Sequence, residues 1–143
     1  MSETRDWLNE PIISSDDRRT VMAIEWLLPI LCNARLRPQS YFSPIGHVAM
    51  LHWIHGLYTA LSFMGADVDP HWKHRNAAVE RRGLEVRMCW NEDELEKRGL
   101  TPAEVVDELL AIEIERCEAH RADILNSALE VHRKYYPNGI QGR

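Results

Sequence analysis

Along most of the chain, apolar residues recur at three- and four-residue intervals, the spacing of one face of an α-helix. The first such stretch begins at Ser14 or Ser15, either of which could cap a helix start, and continues to about Leu36. Pro29 lies inside it and should kink the helix or divide it into two. The last stretch, about 102–135, begins at the sequence TPAE at 101–104, which is typical of a capping box. The pattern therefore predicts long helices at both ends of the chain.

A second apolar stretch is unusual because 38–66 contains no Asp, Glu, Lys or Arg. Its inner part is about as long as a membrane span. It also contains His47, His52 and His55, and three imidazoles would be costly in hydrocarbon. We therefore predict that 44–64 forms a helix buried at the centre of the fold, and that the protein does not enter a membrane.

The segment between these helices is less regular. A third helix is predicted to start near Pro70 and to end before Gly83, and a short fourth helix is predicted at 92–98. In 84–90, apolar and polar residues alternate as they do in a β-strand. Since the sequence offers no partner strand, this segment either pairs with its copy in a dimer or is irregular or helical.

Together these elements predict an all-α fold, a compact bundle of about four main helices around the uncharged central helix 44–64. The length of 143 residues corresponds to one domain, which we assign to 14–136. The polar N-terminal residues 1–13 are expected to form a flexible arm, and 137–143 a frayed tail.

Composition narrows the class of protein. Hydrophobic residues make up 45% of the chain and charged residues 27%, which is typical of a soluble globular protein. The net charge of −5 argues against general nucleic-acid binding. The three cysteines are scattered and odd in number, which indicates reduced thiols, and the N-terminus lacks the apolar stretch of a secretory signal. These features predict a cytoplasmic protein.

Histidine suggests a metal site. His52 and His55 lie three residues apart and would project from the same side of the predicted central helix. With His120 of the last helix they could form a three-histidine site for a divalent transition metal, with Asp123 holding an imidazole. No recognised metal motif is present, however, and the alternative is that the histidines are hydrogen-bonded structural residues and that the protein has no cofactor.

The last helix also carries a possible catalytic group. Glu113, Arg116, His120 and Asp123 follow one another at three- and four-residue spacing and share one side of the helix. An Asp–His pair could act as a general base, and the arginine could hold an anionic substrate. The alternative is an ordinary solvated helix face with pairs of opposite charge.

Segment 71–87 is basic, with five Lys or Arg against two Glu. Lys73, Arg75, Arg81 and Arg82 could bind a phosphate-bearing small molecule. The acidic last helix offers another partner for these cations, either in the same chain or in a neighbouring one.

No catalytic signature stands out, so the leading hypothesis is a small cytoplasmic binding or regulatory protein that acts through protein–protein contacts and forms a homo-oligomer. Trp7 and Trp90, outside the main helices, are the candidate contact residues, whereas Trp26 and Trp53 are predicted to be core residues. The alternatives are a metal-dependent hydrolase of the helical-bundle type and a binder of a phosphate-bearing small molecule.

Overall fold

The computed structural model describes residues 12–138 of the chain. The prediction of an all-α bundle is confirmed: 12–138 contain no strand. The five α-helices of this part are α1 (Ser15–Leu36), α2 (His47–Phe63), α3 (Lys73–Arg81), α4 (Glu92–Lys97) and α5 (Pro102–Tyr135), and short 3₁₀ helices occur at Pro38–Ser40 and Pro70–Trp72.

Capping residues fix the starts of the two long helices where the sequence predicts them. The Ser14 side chain accepts a hydrogen bond from the Asp17 amide at 3.1 Å, and Thr101 accepts one from the Glu104 amide at 3.3 Å. Each bond satisfies an amide that has no partner inside its helix. α1 continues through the exposed Pro29 as one helix and is not divided there.

The first half of α5 is the centre of the bundle. α1 lies antiparallel to it, because Arg35 pairs with Asp107 at 2.9 Å near the start of α5, and Glu25 pairs with Arg121 at 2.8 Å further along. The buried residues of α5 are Val105, Val106, Leu109, Leu110, Ala111, Ile112, Glu113, Arg116 and Cys117.

The buried stripe of α1 faces this part of the bundle and includes Ile24, Leu27 and Leu31. Trp26 lies off that stripe and is 53% exposed, so its prediction as a core residue is wrong. Trp53 is partly buried and packs edge-on against Phe42, with ring centroids 5.2 Å apart.

The uncharged helix is not the central one. α2 begins at His47 and buries only Met50, Ile54 and Leu61, while Val48 is 58% exposed and the adjoining Phe63 and Met64 are also on the surface. Its apolar composition predicted more burial than the neighbouring helices provide. The central position belongs instead to α5, whose charged residues pair with those of α1 and α3.

Residues 84–90 form an irregular segment, so the strand alternative is wrong. The alternation does not produce a buried face, since Leu84 is buried but Met88 is 89% exposed. The Glu94 carboxylate organises the segment by accepting hydrogen bonds from the Glu85 amide at 3.1 Å and from the Asn91 side chain at 3.0 Å. A short acidic helix, α4, thereby holds the loop that precedes it.

Two predicted regions lie largely outside the described residues: the N-terminal arm 1–13, which includes Trp7, and the C-terminal tail 137–143. Within the described range 12–138, no helix has the length and apolar content that crossing a membrane requires.

Candidate functional site

A cavity of about 770 Å³ opens beside α2. One wall is α2, the second is the segment that leads into α3, and the third is the loop before α4. The lining combines apolar and aromatic side chains with a similar number of polar and charged ones. It consists of Ile54, His55, Tyr58, Thr59, Ser62, Phe63, Ala66, Asp67, Val68, Asp69, His71, Trp72, Arg75, Met88, Cys89, Trp90 and Arg116.

Arg75 is the cation of α3 that lines this cavity. Its guanidinium carbon lies over two indoles, 5.3 Å from the ring centroid of Trp72 and 5.0 Å from that of Trp90. Its side chain is only 3% exposed. Burial lowers the pKa of Arg75 from its usual value, but an arginine remains protonated in a protein.

The Arg75 side chain donates one hydrogen bond and forms one ion pair. Nη2 donates to the Cys89 carbonyl oxygen at 3.5 Å, and Nε lies 3.7 Å from Glu113 Oε1. Nη1 is buried and has no hydrogen-bond partner in residues 12–138. A buried donor without a partner costs about 1–3 kcal/mol, and more when it is charged.

Beside Arg75 lies a second buried arginine, whose two Nη atoms both donate hydrogen bonds to the protein. Arg116 donates from Nη1 to Glu113 Oε2 at 3.1 Å and from Nη2 to the Val68 carbonyl at 3.2 Å, and its Nε lies 3.3 Å from Asp69 Oδ2. The guanidinium also stacks 4.9 Å above the Tyr58 ring. Arg116 is therefore a structural cation that orients the two carboxylates, and it has little capacity left for a ligand.

Tyr58 joins this group from α2, where its hydroxyl donates to Glu113 Oε2. Burial, reinforced by the Glu113 carboxylate, raises the pKa of Tyr58 well above its usual value, so the phenol keeps its proton at neutral pH. Cys117 lies next to it, and burial raises the pKa of that thiol to about 12. A thiol with such a pKa is not a nucleophile at neutral pH, so no role in covalent chemistry is assigned to Cys117.

Asp69 shapes the wall between α2 and α3. It has a positive φ of 60°, as do His71 (59°) and Trp72 (57°), and non-glycine residues rarely adopt this conformation. The buried Asp69 carboxylate holds the segment by accepting from the amides of His74 at 2.8 Å and Arg75 at 2.9 Å, in the first turn of α3. Such strained conformations persist only where surrounding contacts enforce them, and they cluster at binding sites.

The Asp69 amide in turn donates to Nδ1 of His120 at 2.8 Å. Nδ1 must therefore be unprotonated, which places the proton of the neutral ring on Nε2. His74 stacks on His120 with ring centroids 5.4 Å apart and has its own Nε2 3.4 Å from Asp123. Burial lowers the pKa of His120, and the neighbouring His74 lowers it further.

The four candidate catalytic residues therefore have different environments. Glu113 and Arg116 are buried beside the cavity, so their interpretation as a solvated helix face is wrong. His120 supports the Asp69 segment. Asp123 forms its ion pairs with Lys73 and His74, both at 3.4 Å, on the exposed side.

The predicted three-histidine metal site is not formed. His52 and His55 are exposed on α2, whereas His120 is on α5 with Nδ1 engaged by the Asp69 amide. Across 12–138, no three or more His, Cys, Asp or Glu side chains converge in a way that could hold a metal ion.

The four cations of the basic segment 71–87 also have different environments. Arg82 pairs with Glu108 at 2.6 Å and also with Glu115, and Arg81 donates to Glu115 at 2.7 Å, so both serve the contact between α3 and α5. Lys73 pairs with Asp123. Of the four predicted ligand-binding cations, Arg75 alone lines the cavity.

Sequence reasoning did not single out Tyr58 or Asp69 as site residues. The i, i+3 spacing of Trp72 and Arg75 was a usable signal for a stacked cation. The contribution of Tyr58 depends on how α2 packs on α5, which no local pattern specifies. Searches of protein-family models, curated proteins and solved structures gave no match to this chain.

We expect Glu113→Leu to lower the free energy of unfolding by about 3–5 kcal/mol, because it leaves Arg116 without one of its two buried counterions. Urea unfolding would measure the change. Glu118→Leu, at an exposed position of the same helix, is the control and should change stability by less than about 0.5 kcal/mol. Equal effects of the two substitutions would contradict the assigned role of the buried cluster.

His120 should make stability depend on pH. Because its pKa is lowered in the folded protein, the unfolded chain binds the proton first, and stability is retained above about pH 6.5 and lost as the pH falls below it. We expect the slope of unfolding free energy against pH, between pH 7 and 5, to be smaller in His120→Asn than in the wild type, by at most about 1.4 kcal/mol per pH unit. His52→Asn, at an exposed position, should keep the wild-type slope.

Proposed function

We propose that this protein binds a small organic molecule in the cavity between α2, the segment leading into α3 and the loop before α4. The observation that carries the proposal is Arg75, a buried cation that lines the cavity and whose Nη1 has no hydrogen-bond partner in residues 12–138. A charged donor in this state is what a binding site presents to a ligand, and the surrounding protein retains it against a cost in stability.

Two further features support the proposal. The wall at Asp69, His71 and Trp72 is strained, and strain of this kind is found at ligand sites. The volume of about 770 Å³ lies within the range of about 300–1,000 Å³ that is typical of such pockets. The buried ionic cluster behind the cavity gives its floor a fixed geometry.

The proposal can be tested with the neutral fluorophore Nile red, whose emission rises in apolar surroundings. Thr59→Phe adds a ring at an exposed position that lines the cavity, whereas Ala49→Phe adds the same ring to α2 at an exposed position away from it. We expect Thr59→Phe to weaken dye binding about tenfold or more, a change of about 1.4 kcal/mol. Ala49→Phe should retain wild-type affinity.

Circular dichroism must first show that both variants keep the helical fold. Equal dye affinity of Thr59→Phe and the wild type, or the absence of dye binding in the wild type, would contradict the proposal.

A second candidate function retains the hypothesis of protein contacts, with a second copy of this chain as the partner. The observation that favours it is the exposed side of α2, where Val48 and Phe63 (88% exposed) lie on a helix with no Asp, Glu, Lys or Arg. Two copies of an uncharged helix can meet across a two-fold axis without repulsion between like charges.

For this candidate we expect light scattering after gel filtration to give twice the mass of one chain for the wild type. Val48→Glu should shift the protein toward the monomer, because it places like charges at the contact. Val131→Glu, at an exposed position on α5, should not. A monomeric wild type at high concentration would contradict the candidate.

A further inference from the structure

We propose that His120 is a pH switch for the cavity: its neutral ring holds the wall segment 69–72 in place, and its protonation releases that segment and weakens ligand binding. The proposal rests on the small-molecule binding proposed above and adds the regulation of that site. Three observations support it: one hydrogen bond to the ring, the strained backbone that this bond holds, and the groups packed around the ring.

The hydrogen bond runs from the Asp69 amide to Nδ1 of His120 at 2.8 Å and connects the wall segment to α5. In a neutral imidazole one nitrogen carries the proton and the other accepts. The imidazolium carries a proton on both nitrogens, so neither Nδ1 nor, after a turn of the ring, Nε2 can accept from the amide. Protonation of His120 therefore removes this bond in every orientation of the ring.

The wall segment is strained at the point where this bond holds it. Asp69, His71 and Trp72 have φ of 60°, 59° and 57°, a conformation that non-glycine residues keep only where contacts enforce it. All three residues line the cavity. When His120 is charged, the Asp69 amide faces a second donor instead of an acceptor, and the segment is favoured to move away from the ring. The shape of the cavity changes with it.

Other contacts of Asp69 confine the change to the wall segment. Its carboxylate accepts from the amides of His74 and Arg75, and it lies 3.3 Å from Nε of Arg116. None of these contacts uses the His120 ring, so the start of α3 and the buried ionic cluster keep their partners. We therefore expect a local change in which the helices are retained.

The groups around the ring set the direction of the pH dependence. Charged or titratable side chains near the ring and its partners are Lys73 and His74 of α3, Asp67 and Asp69 before it, Arg116, Arg121 and Asp123 of α5, and Glu25 of α1, which pairs with Arg121. Burial lowers the pKa of His120, and His74, stacked on it at 5.4 Å between ring centroids, lowers it further against the opposite effect of the nearby carboxylates. The closed wall is thus retained above about pH 6.5 and lost as the pH falls below it.

Nile red provides the first test, because the dye is neutral. We expect its Kd for the wild type to rise about fivefold or more between pH 7.5 and pH 5, in line with the loss of one hydrogen bond. The midpoint should coincide with the titration of the His120 ring protons followed by nuclear magnetic resonance. Circular dichroism should show the same helix content at both pH values.

Variants assign the effect to His120. His120→Asn retains an acceptor for the Asp69 amide but has no titratable group, so its Kd for Nile red should change by less than about twofold over the same range. His55→Asn and His71→Asn remove the two exposed histidines that line the cavity, and both should keep the wild-type pH dependence. Asparagine suits position 71 because it tolerates positive φ.

A second readout needs no ligand. The Asp69 amide proton signal should shift with the same midpoint as the His120 ring, and the indole N–H signal of Trp72 should shift with it. In His74→Gln this midpoint should move to higher pH, because a neighbour that lowers the pKa of His120 is removed. A role of His120 in stability alone would leave the Asp69 amide signal of the folded protein unchanged.

The outcomes separate the pH switch from the proposed function. If the Asp69 amide signal and the dye affinity stay constant while the His120 ring titrates, or if the ring stays neutral down to pH 5, the switch is wrong and the cavity remains a binding site. Loss of helix content at the same midpoint as loss of dye binding would also overturn the switch, because the change would not be local. If Nile red binds at neither pH, the proposed function is wrong, and the Asp69 amide signal decides the switch by itself.

Discussion

The pairing of Arg116 with two buried carboxylates is the interaction on which the rest of the structure depends. A buried guanidinium without counterions would carry a desolvation cost of several kcal/mol, and Glu113 and Asp69 offset that cost from different parts of the chain. Because Tyr58 of α2 also donates to Glu113, one cluster connects α2, α5 and the segment before α3. Three members of this cluster, Tyr58, Asp69 and Arg116, line the cavity.

The two arginines of this region illustrate how environment separates similar side chains. Arg116 is surrounded by acceptors and serves as internal structure. Arg75 lies over two indoles, and its Nη1 has no acceptor in residues 12–138. Sequence alone gives both residues the same charge and helical setting. The distinction that matters for function is the number of acceptors that the fold brings to each one.

Local signals in the sequence predicted the helices well and the site only in part. Ser14 and Thr101 set the starts of α1 and α5 because a cap acts within a few residues. The uncharged α2 misled the prediction of the centre, since hydrophobic composition does not specify which faces receive a partner. The cavity depends on Tyr58 and Asp69. These residues contact Glu113 and Arg116 of α5, which lie more than 40 positions further along the chain, and sequence periodicity does not specify contacts of that kind.

The central helix is also the last of the helices described in residues 12–138, and this order constrains how the bundle forms. α1 pairs with α5 through Arg35 and Asp107 and through Glu25 and Arg121, contacts that span 72 and 96 residues. During synthesis from the N-terminus, α1 to α4 leave the ribosome before the helix they pack against exists. Their apolar faces stay without cover until α5 emerges, so folding of this domain must be completed after translation of its final third.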